Sequence, residues 1–389
     1  MSPATEPARD SRPVIVDARR TPIGTAGRSL AALTAVDLAA PVLAALAEGI
    51  EPTGVPVADL HDVVLGNCMG PGGDVARVAA LAAGLPVAVP ALTVDRQCGS
   101  GLAAIAVAAS LVRSEPGIVL AGGVESASTA PWRFWPPTPG AGPERYERAP
   151  FAPAALGDPE MGLAADLLAA EHRVSRARQD EYAARSHALA VATRDRGGFA
   201  DETVPVGGVR VDDRPRPGFS VDRLARLRPA FRDDGTVTAG NSCGINDGAA
   251  AVTLVDAETH RSLDIDALRV LATATAGVDP NRPGLGIVPA TRLALTRAGL
   301  TLDDIDVIEL NEAFAGQVLA CCNLLSLDPG RVCVEGGALA LGHPWGASGA
   351  VLVVRLFSQL VRRSAGRYGL AAIAVGGGQG VAMVVERCR

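Results

Sequence analysis

The chain has 389 residues, enough for two or three domains with an ample core. Its net charge of −6 gives no electrostatic reason to expect nucleic acid. Hydrophobic residues make up 48% and aromatics only 3%, so the core has to be aliphatic and built on close Ala and Gly contacts.

All 36 basic residues are Arg. The lack of lysine excludes Schiff-base chemistry, lysine-anchored pyridoxal phosphate and a Walker-type phosphate loop. Residues 1–13 mix charges and prolines without an apolar segment and are expected not to form a signal peptide. No uninterrupted apolar run is long enough to span a bilayer, so no membrane partner is expected. The seven cysteines are an odd number without paired metal-ligand spacing. They point to a reducing compartment, the cytoplasm, with no disulfide framework and no metal site.

In chain order, short Val/Ile runs at 14–16, 62–66 and 117–121 alternate with Ala/Leu helix patterns. That alternation predicts parallel strands with crossover helices and an α/β fold. The apolar stretch 90–94 leads into Asp95-Arg96-Gln97-Cys98-Gly99-Ser100-Gly101, and the helical run 102–109 follows. A cysteine between a strand and a helix start lies beside unpaired main-chain N–H groups at the positive end of the helix dipole. Both features favour thiolate over thiol. The small Gly-Ser-Gly surroundings leave room for a substrate to approach the sulfur. A cysteine in so Ala-rich a chain is more often a small buried hydrophobe, but later segments reverse that reading at Cys98.

The stretch 131–159 is rich in Pro, Gly and Trp and is expected to be a loop, with 132–137 a subunit or loop contact rather than a ligand site. The plan then repeats, with a helix pattern at 290–295 and a strand at 307–310. Asn311-Glu312-Ala313-Phe314-Ala315 comes next, then the Gly-rich 336–349, which contains Leu341-Gly342-His343-Pro344, and finally Gly376-Gly377-Gly378. These segments add a base, an amide and exposed main-chain donors to the thiol, the parts of a thioester-transfer site. Cys98 and His343 each sit at a Gly/Ser turn before a helix, one in each half.

Together with Gly122-Gly123-Val124-Glu125-Ser126, Thr236-Val237-Thr238-Ala239-Gly240-Asn241 and Asn246-Asp247-Gly248-Ala249-Ala250, these motifs resemble those of the thiolases, the family that makes or cleaves 3-ketoacyl-CoA. The resemblance runs from 14–24 to 381–386. It implies a layered αβαβα fold of two similar halves plus a loop domain. The first half would take 1–126 and 249–275, the loop domain covering coenzyme A 127–248, and the second half 276–389. It also implies a homodimer, with a homotetramer as the alternative; the Pro/Trp-rich stretch after Ser126 differs from the usual tetramer-forming loop and favours the dimer.

By the same resemblance, Cys98 would attack a thioester carbonyl and carry the acyl group, and His343 would activate it and help hold the thioester oxygen. Asn311 would anchor a water completing that oxygen site, and the N–H groups of Cys98 and Gly376 would form a second oxyanion hole. Glu312 is read either as part of the site or as a structural carboxylate. Coenzyme A is expected as substrate, with no permanently bound cofactor; Arg216, Ser242 and Cys243 match places where the family meets its nucleotide and pantetheine, and Ser348, in the turn after His343, is a further candidate to touch pantetheine.

One position departs from the family. Thiolases carry a second cysteine two residues before the final Gly-Gly-Gly, and here that position is Ala374. That cysteine moves a proton from the acyl α-carbon in condensation or from the coenzyme A thiol in thiolysis. Losing such a group costs about 10²–10⁴ in rate. Cys243 stands where Ser is usual, and Glu160 stands before Met161-Gly162 where His is common. Three readings follow. The chain is a working acyltransferase on acyl-CoA or 3-ketoacyl-CoA thioesters in which Cys243, Glu160 or a held water restores proton transfer. Alternatively it performs acyl transfer to an amine or alcohol, hydrolysis or decarboxylative condensation. The third makes it a non-catalytic acyl-CoA-binding subunit, against which the intact Cys98, Asn311 and His343 argue. Cys321 and Cys322 are poor substitutes, about 15 Å along a helix from Asn311.

Overall fold

The computed structural model describes residues 12–50 and 60–389, so most of the 1–13 segment lies outside the described residues. The chain opens with β1 (Val14–Arg20), the short β2 (Gly24–Thr25), α1 (Ala35–Ile50), β3 (Leu60–Gly66), α2 (Val75–Ala82), β4 (Ala91–Val94), α3 (Ser100–Ser114) and β5 (Ile118–Ser126). An insertion follows, with strands β6 (Arg133–Trp135) and β7 (Glu144–Tyr146) and helices α4 (Met161–Glu171), α5 (Arg176–Asp195) and the one-turn α6 (Val221–Leu224). β8 (Asn246–Val255) and α7 (Ala257–Leu263) return to the first half. The rest holds β9 (Ala267–Gly277), α8 (Ile287–Ala298), β10 (Val307–Leu310), α9 (Ala315–Leu325), the short α10 (Ala338–Leu341), α11 (Trp345–Phe357), β11 (Tyr368–Val375) and β12 (Gln379–Cys388).

The strands run in the order β10-β11-β12-β9-β1-β8-β5-β3-β4, with β2 on β8. Within the sheet, among the described residues, the ladders of the two halves join where Val14 and Ile15 of β1 face Arg269 and Leu268 of β9. Helices α3 and α11 pack on each other between the two sheet halves, α3 on β3 and β5, α11 on β5, β8 and β11. Helix α1 covers the outer face of the first half, backed by α2, and α8 covers β9 and β12. The result is five layers, helix-sheet-helix-sheet-helix.

Strand alternation explains why the layers stack. In β5, Val119 and Ala121 enter the central core while Ile118 and Leu120 enter the outer one. In β12, Val381 and Met383 face the centre while Ala382 and Val384 face the opposite outer core. Each strand is covered on both faces, which is why these segments read as unbroken aliphatic runs.

Two expectations need correction. The strands are not mainly parallel: β3 with β4 and β5, and β10 with β11, are parallel, but β1–β8, β5–β8, β11–β12 and β12–β9 are antiparallel. The tight glycine turn 376–378 permits only a hairpin between β11 and β12. The segment 131–159 is not all loop, because Trp135 stacks on Tyr146 at 4.5 Å and closes a small β6–β7 ladder. Strand β9 pairs with β12 at ten positions and with β1 at two.

The insertion is fastened by a buried ion network. Arg20 of β1 donates to Glu202 (2.7 Å) and to both oxygens of Asp212 (2.7 and 3.0 Å). Arg355 of α11 also pairs with Glu202 and with Glu335. The Phe199 ring lies between the two guanidinium groups, 5.2 Å from Arg20 and 4.7 Å from Arg355.

Candidate active site

Cys98 lies between β4 and α3, on a turn that Gln97 makes with φ +45°. Such a conformation costs a non-glycine residue roughly 1–3 kcal/mol and persists only where neighbours fix it. Here the Gln97 carbonyl accepts from Ser100 Oγ at 2.6 Å, Ser100 N at 3.0 Å and Cys68 Sγ at 3.0 Å. Burial pushes the Cys98 thiol up to about 12, while its own N–H and that of Gly376 pull the other way. The turn's N–H groups favour the thiolate, as expected, but burial outweighs them. Removal of water outweighs the few donors, and the sulfur holds its proton until a base takes it.

The base that shares a cavity wall with Cys98 is His343. Its main-chain N–H donates to Asn246 Oδ1 at 2.9 Å, and its Nδ1 lies 2.6 Å from Ser348 Oγ. Ser348 gives its one proton to Pro344 O at 2.9 Å. The network therefore assigns the ring hydrogen to Nδ1 and a lone pair to Nε2, which Asn311 Nδ2 approaches at 3.5 Å. Burial pushes the imidazole down to about 4, so it is neutral and basic at physiological pH.

The two turns meet along a seam of glycines. A Cβ on Gly123 of β5 would lie 1.9 Å from Gly346 O, and one on Gly101 of α3 would lie 2.8 Å from the same oxygen. Only main chain without side chains closes to this distance. Glu125 then ties the parts together, accepting from Asn67 Nδ2 (3.1 Å), Cys68 N (3.2 Å), Met69 N (3.1 Å) and Gly346 N (3.0 Å). Burial pushes its carboxyl up to about 7.

Cys98, His343, Gly376, Cys243 and Ala374 line one cavity of about 110 Å³, otherwise walled mainly by apolar side chains such as Met161, Leu168, Phe314 and Trp345. Asn311 stands behind His343 rather than on that wall. Ser242 and Ser348, expected against coenzyme A, are buried and turned elsewhere: Ser242 Oγ donates to Thr238 O at 2.7 Å, and Ser348 serves His343. Arg216 is exposed, its guanidinium 5.8 Å from the Phe219 ring and its N–H on His187 Nδ1. Glu160 points to solvent and pairs with Arg148 at 3.5 Å, so it is no substitute for a residue at position 374. Glu312 is structural, accepting from Tyr182 Oη, Ser186 Oγ and Leu339 N.

Sequence reasoning missed several contributors. Glu125 offered a signal, as a charge in an otherwise apolar strand. Arg214, beside Cys243, and Phe151, against Gly376 and Gly377, offered none. All seven cysteines are free thiols. Among the described residues no group of three or more His, Cys, Asp and Glu side chains gathers to hold a metal, and no helix is long and apolar enough to cross a membrane.

Comparison with known proteins agrees with this architecture. The family model for the thiolase N-terminal domain matches residues 13–258 and that for the C-terminal domain 266–387. An acetyl-CoA acetyltransferase of Pseudomonas aeruginosa is 43% identical over 396 residues, spanning 96% of this chain and 99% of the relative. A beta-ketoadipyl-CoA thiolase of the same species is 44% identical over 397 residues, spanning 96% and 98%. The crystal structure of the Bacillus anthracis acetyl-CoA acetyltransferase matches with a TM-score of 0.88 at 38% identity, covering 97% of this chain and 99% of that one. The chain belongs to the thiolase family and is a coenzyme A-dependent acyltransferase of that class.

Proposed function

We propose that the protein moves small acyl groups between thioesters of coenzyme A through a covalent intermediate on Cys98. The observation that carries this reading is the convergence of Cys98, His343 and the Gly376 main chain on one mostly apolar cavity. His343 Nε2 takes the Cys98 proton as the sulfur attacks the thioester carbonyl. The new N–H, with the Asn311 amide behind it, then faces the developing oxyanion. The N–H groups of Cys98 and Gly376 hold the oxygen of the acyl-enzyme.

The volume of about 110 Å³ approaches that of an engineered cavity that binds benzene, so the cavity fits short acyl groups. With the names of the relatives, this favours acetyl-CoA and short 3-ketoacyl-CoA thioesters as substrates. Arg216 is exposed and lies outside the cavity lining, and its free-standing charge suits it to meet the nucleotide end of coenzyme A. Strand β4 is a sheet edge with Leu92 43% exposed and Val87 79% exposed beside it, a surface that favours a homodimer. The free thiols fit a cytoplasmic setting.

A second reading, transfer to an acceptor that needs no α-proton removal, rests on the Ala374 methyl in the cavity wall. Incubation with acetyl-CoA followed by intact-mass measurement tests the main proposal. One acetyl should add to the native protein and none to Cys98→Ser. An equal shift in both would place the nucleophile elsewhere.

A further inference from the structure

We propose that Cys243 is a second catalytic residue, the acid and base that moves the proton which acyl transfer alone leaves unhandled. The inference rests on the acyl-Cys98 reading and adds to it the residue that lets the cycle make or break a carbon–carbon bond. Thiolysis has to remove the hydrogen of the coenzyme A thiol, and condensation has to remove an α-hydrogen from the acceptor. Of the residues lining the cavity, only Cys98, Cys243 and His343 carry a group that titrates. Cys98 is occupied by the acyl group and His343 by its proton, which leaves Cys243.

The other candidates face away. Cys321 Sγ donates to Gly284 O at 3.2 Å and Cys333 Sγ to Leu310 O at 3.2 Å, which commits both thiols to main-chain carbonyls. Cys243 donates to no protein acceptor among the described residues, and its side chain is on the cavity wall. Its main chain is fixed from two sides: its N–H donates to Ala313 O at 2.9 Å, and Ile245 bridges to His343. The loop that carries Cys243 is thus held by the same turns that carry Asn311 and His343.

Arg214 supplies the electrostatics. Its guanidinium lies over Gly244, where a Cβ would meet Nη1 at 2.3 Å, and its Nε is buried without a partner. It forms no carboxylate ion pair among the described residues. Burial pushes the Cys243 thiol up to about 12, Arg214 opposes that shift, and the nearby Cys98 adds to it. The thiol therefore rests protonated, a cation free of carboxylates beside it steadies the thiolate once the proton is passed on, and two coupled sulfurs resist carrying two charges at once.

The cycle balances without an external reagent. His343 takes the Cys98 proton, the Cys98–acyl bond forms as the bond to coenzyme A breaks, and the departing thiolate takes the Cys243 proton. The Cys243 thiolate then removes the α-hydrogen of a second acyl-CoA. The resulting carbanion attacks the acyl carbonyl, a carbon–carbon bond forms, and Cys98 leaves and recovers its proton from His343. Thiolysis runs the same steps backward.

The test compares native protein, Cys243→Ala and Cys243→Ser, the last keeping the size while removing the titrating sulfur. Acyl-Cys98 is read by intact mass after acetyl-CoA, and thiolysis by consumption of acetoacetyl-CoA with coenzyme A. Both variants should still accumulate acyl-Cys98, because coenzyme A can leave as a thiolate unaided; that also shows they are folded. Both should lose about 10²–10⁴ in kcat for thiolysis, with KM for coenzyme A within about threefold of native. Thiolysis within about threefold of native, a loss confined to KM, or native protein that acylates but never thiolyses would each overturn the assignment. Absence of acyl-Cys98 in all three proteins would instead overturn the underlying reading, and this one with it.

Discussion

The hydroxyl of Ser348 stands between Pro344 O and His343 Nδ1, one turn into α11, and so determines which nitrogen of His343 can act as a base. Ser348→Ala removes a buried partner of Nδ1, a loss of about 1–3 kcal/mol, and frees the ring to change tautomer. The expected outcome is a fall of roughly 5- to 150-fold in the rate of acyl-Cys98 formation, followed by rapid-quench mass measurement. An unchanged rate would mean that the serine does not orient the ring.

The Gly376–Gly378 turn carries the N–H that faces Cys98, and Gly377 adopts φ +79° with Phe151 O 2.6 Å from where a Cβ would stand. Gly377→Ala should therefore cost about 1–3 kcal/mol of stability and displace the donor. A lower thermal midpoint together with slower acylation is expected. A variant that keeps both would show that the turn has slack.

Removing Arg20 from the buried network should strand Glu202 and Asp212 without their shared cation. Arg20→Met is expected to destabilise the fold by about 3–5 kcal/mol, read from urea unfolding. Added salt should change this little, because the group is fully buried.

Stability should respond to pH in two directions. Burial holds His343 near 4, below its ordinary 6.5, so the unfolded chain binds that proton more readily and stability is lost as pH falls through 6.5 toward 4. Burial raises Glu125 and Glu309 from 4.5 to about 7, so their contribution is complete below 4.5 and is lost as pH rises through 7. Above pH 6.5 the carboxyls dominate, and the urea midpoint should decline as pH passes 7. Glu125→Gln should make that decline shallower; an identical slope would show that Glu125 does not titrate there.

Much of the site was legible in the sequence because its parts are local. The strand-turn-helix around Cys98 and the glycine turns before His343 and after Ala374 announce themselves within a dozen residues. Distance along the chain hid the rest. Arg20 meets Glu202 across 182 positions, and nothing near either predicts the other. The pull of the turn on the Cys98 proton is visible in the motif, whereas the burial that outweighs it depends on what the whole fold places around the sulfur. The partners of Ser242 and Ser348 were hidden for a related reason. A hydroxyl near a site can serve the substrate or the protein, and only the positions of Thr238 and Pro344 decide which.

The glycine seam at 101, 123 and 346 has a practical consequence. It makes the span between sulfur and imidazole a property of bare backbone, riveted away from the chamber where substrates sit. The chamber wall can then be recarved to admit bulkier cargo while the jaws stay aligned. A single methyl wedged into the seam would act as a shim and spread them.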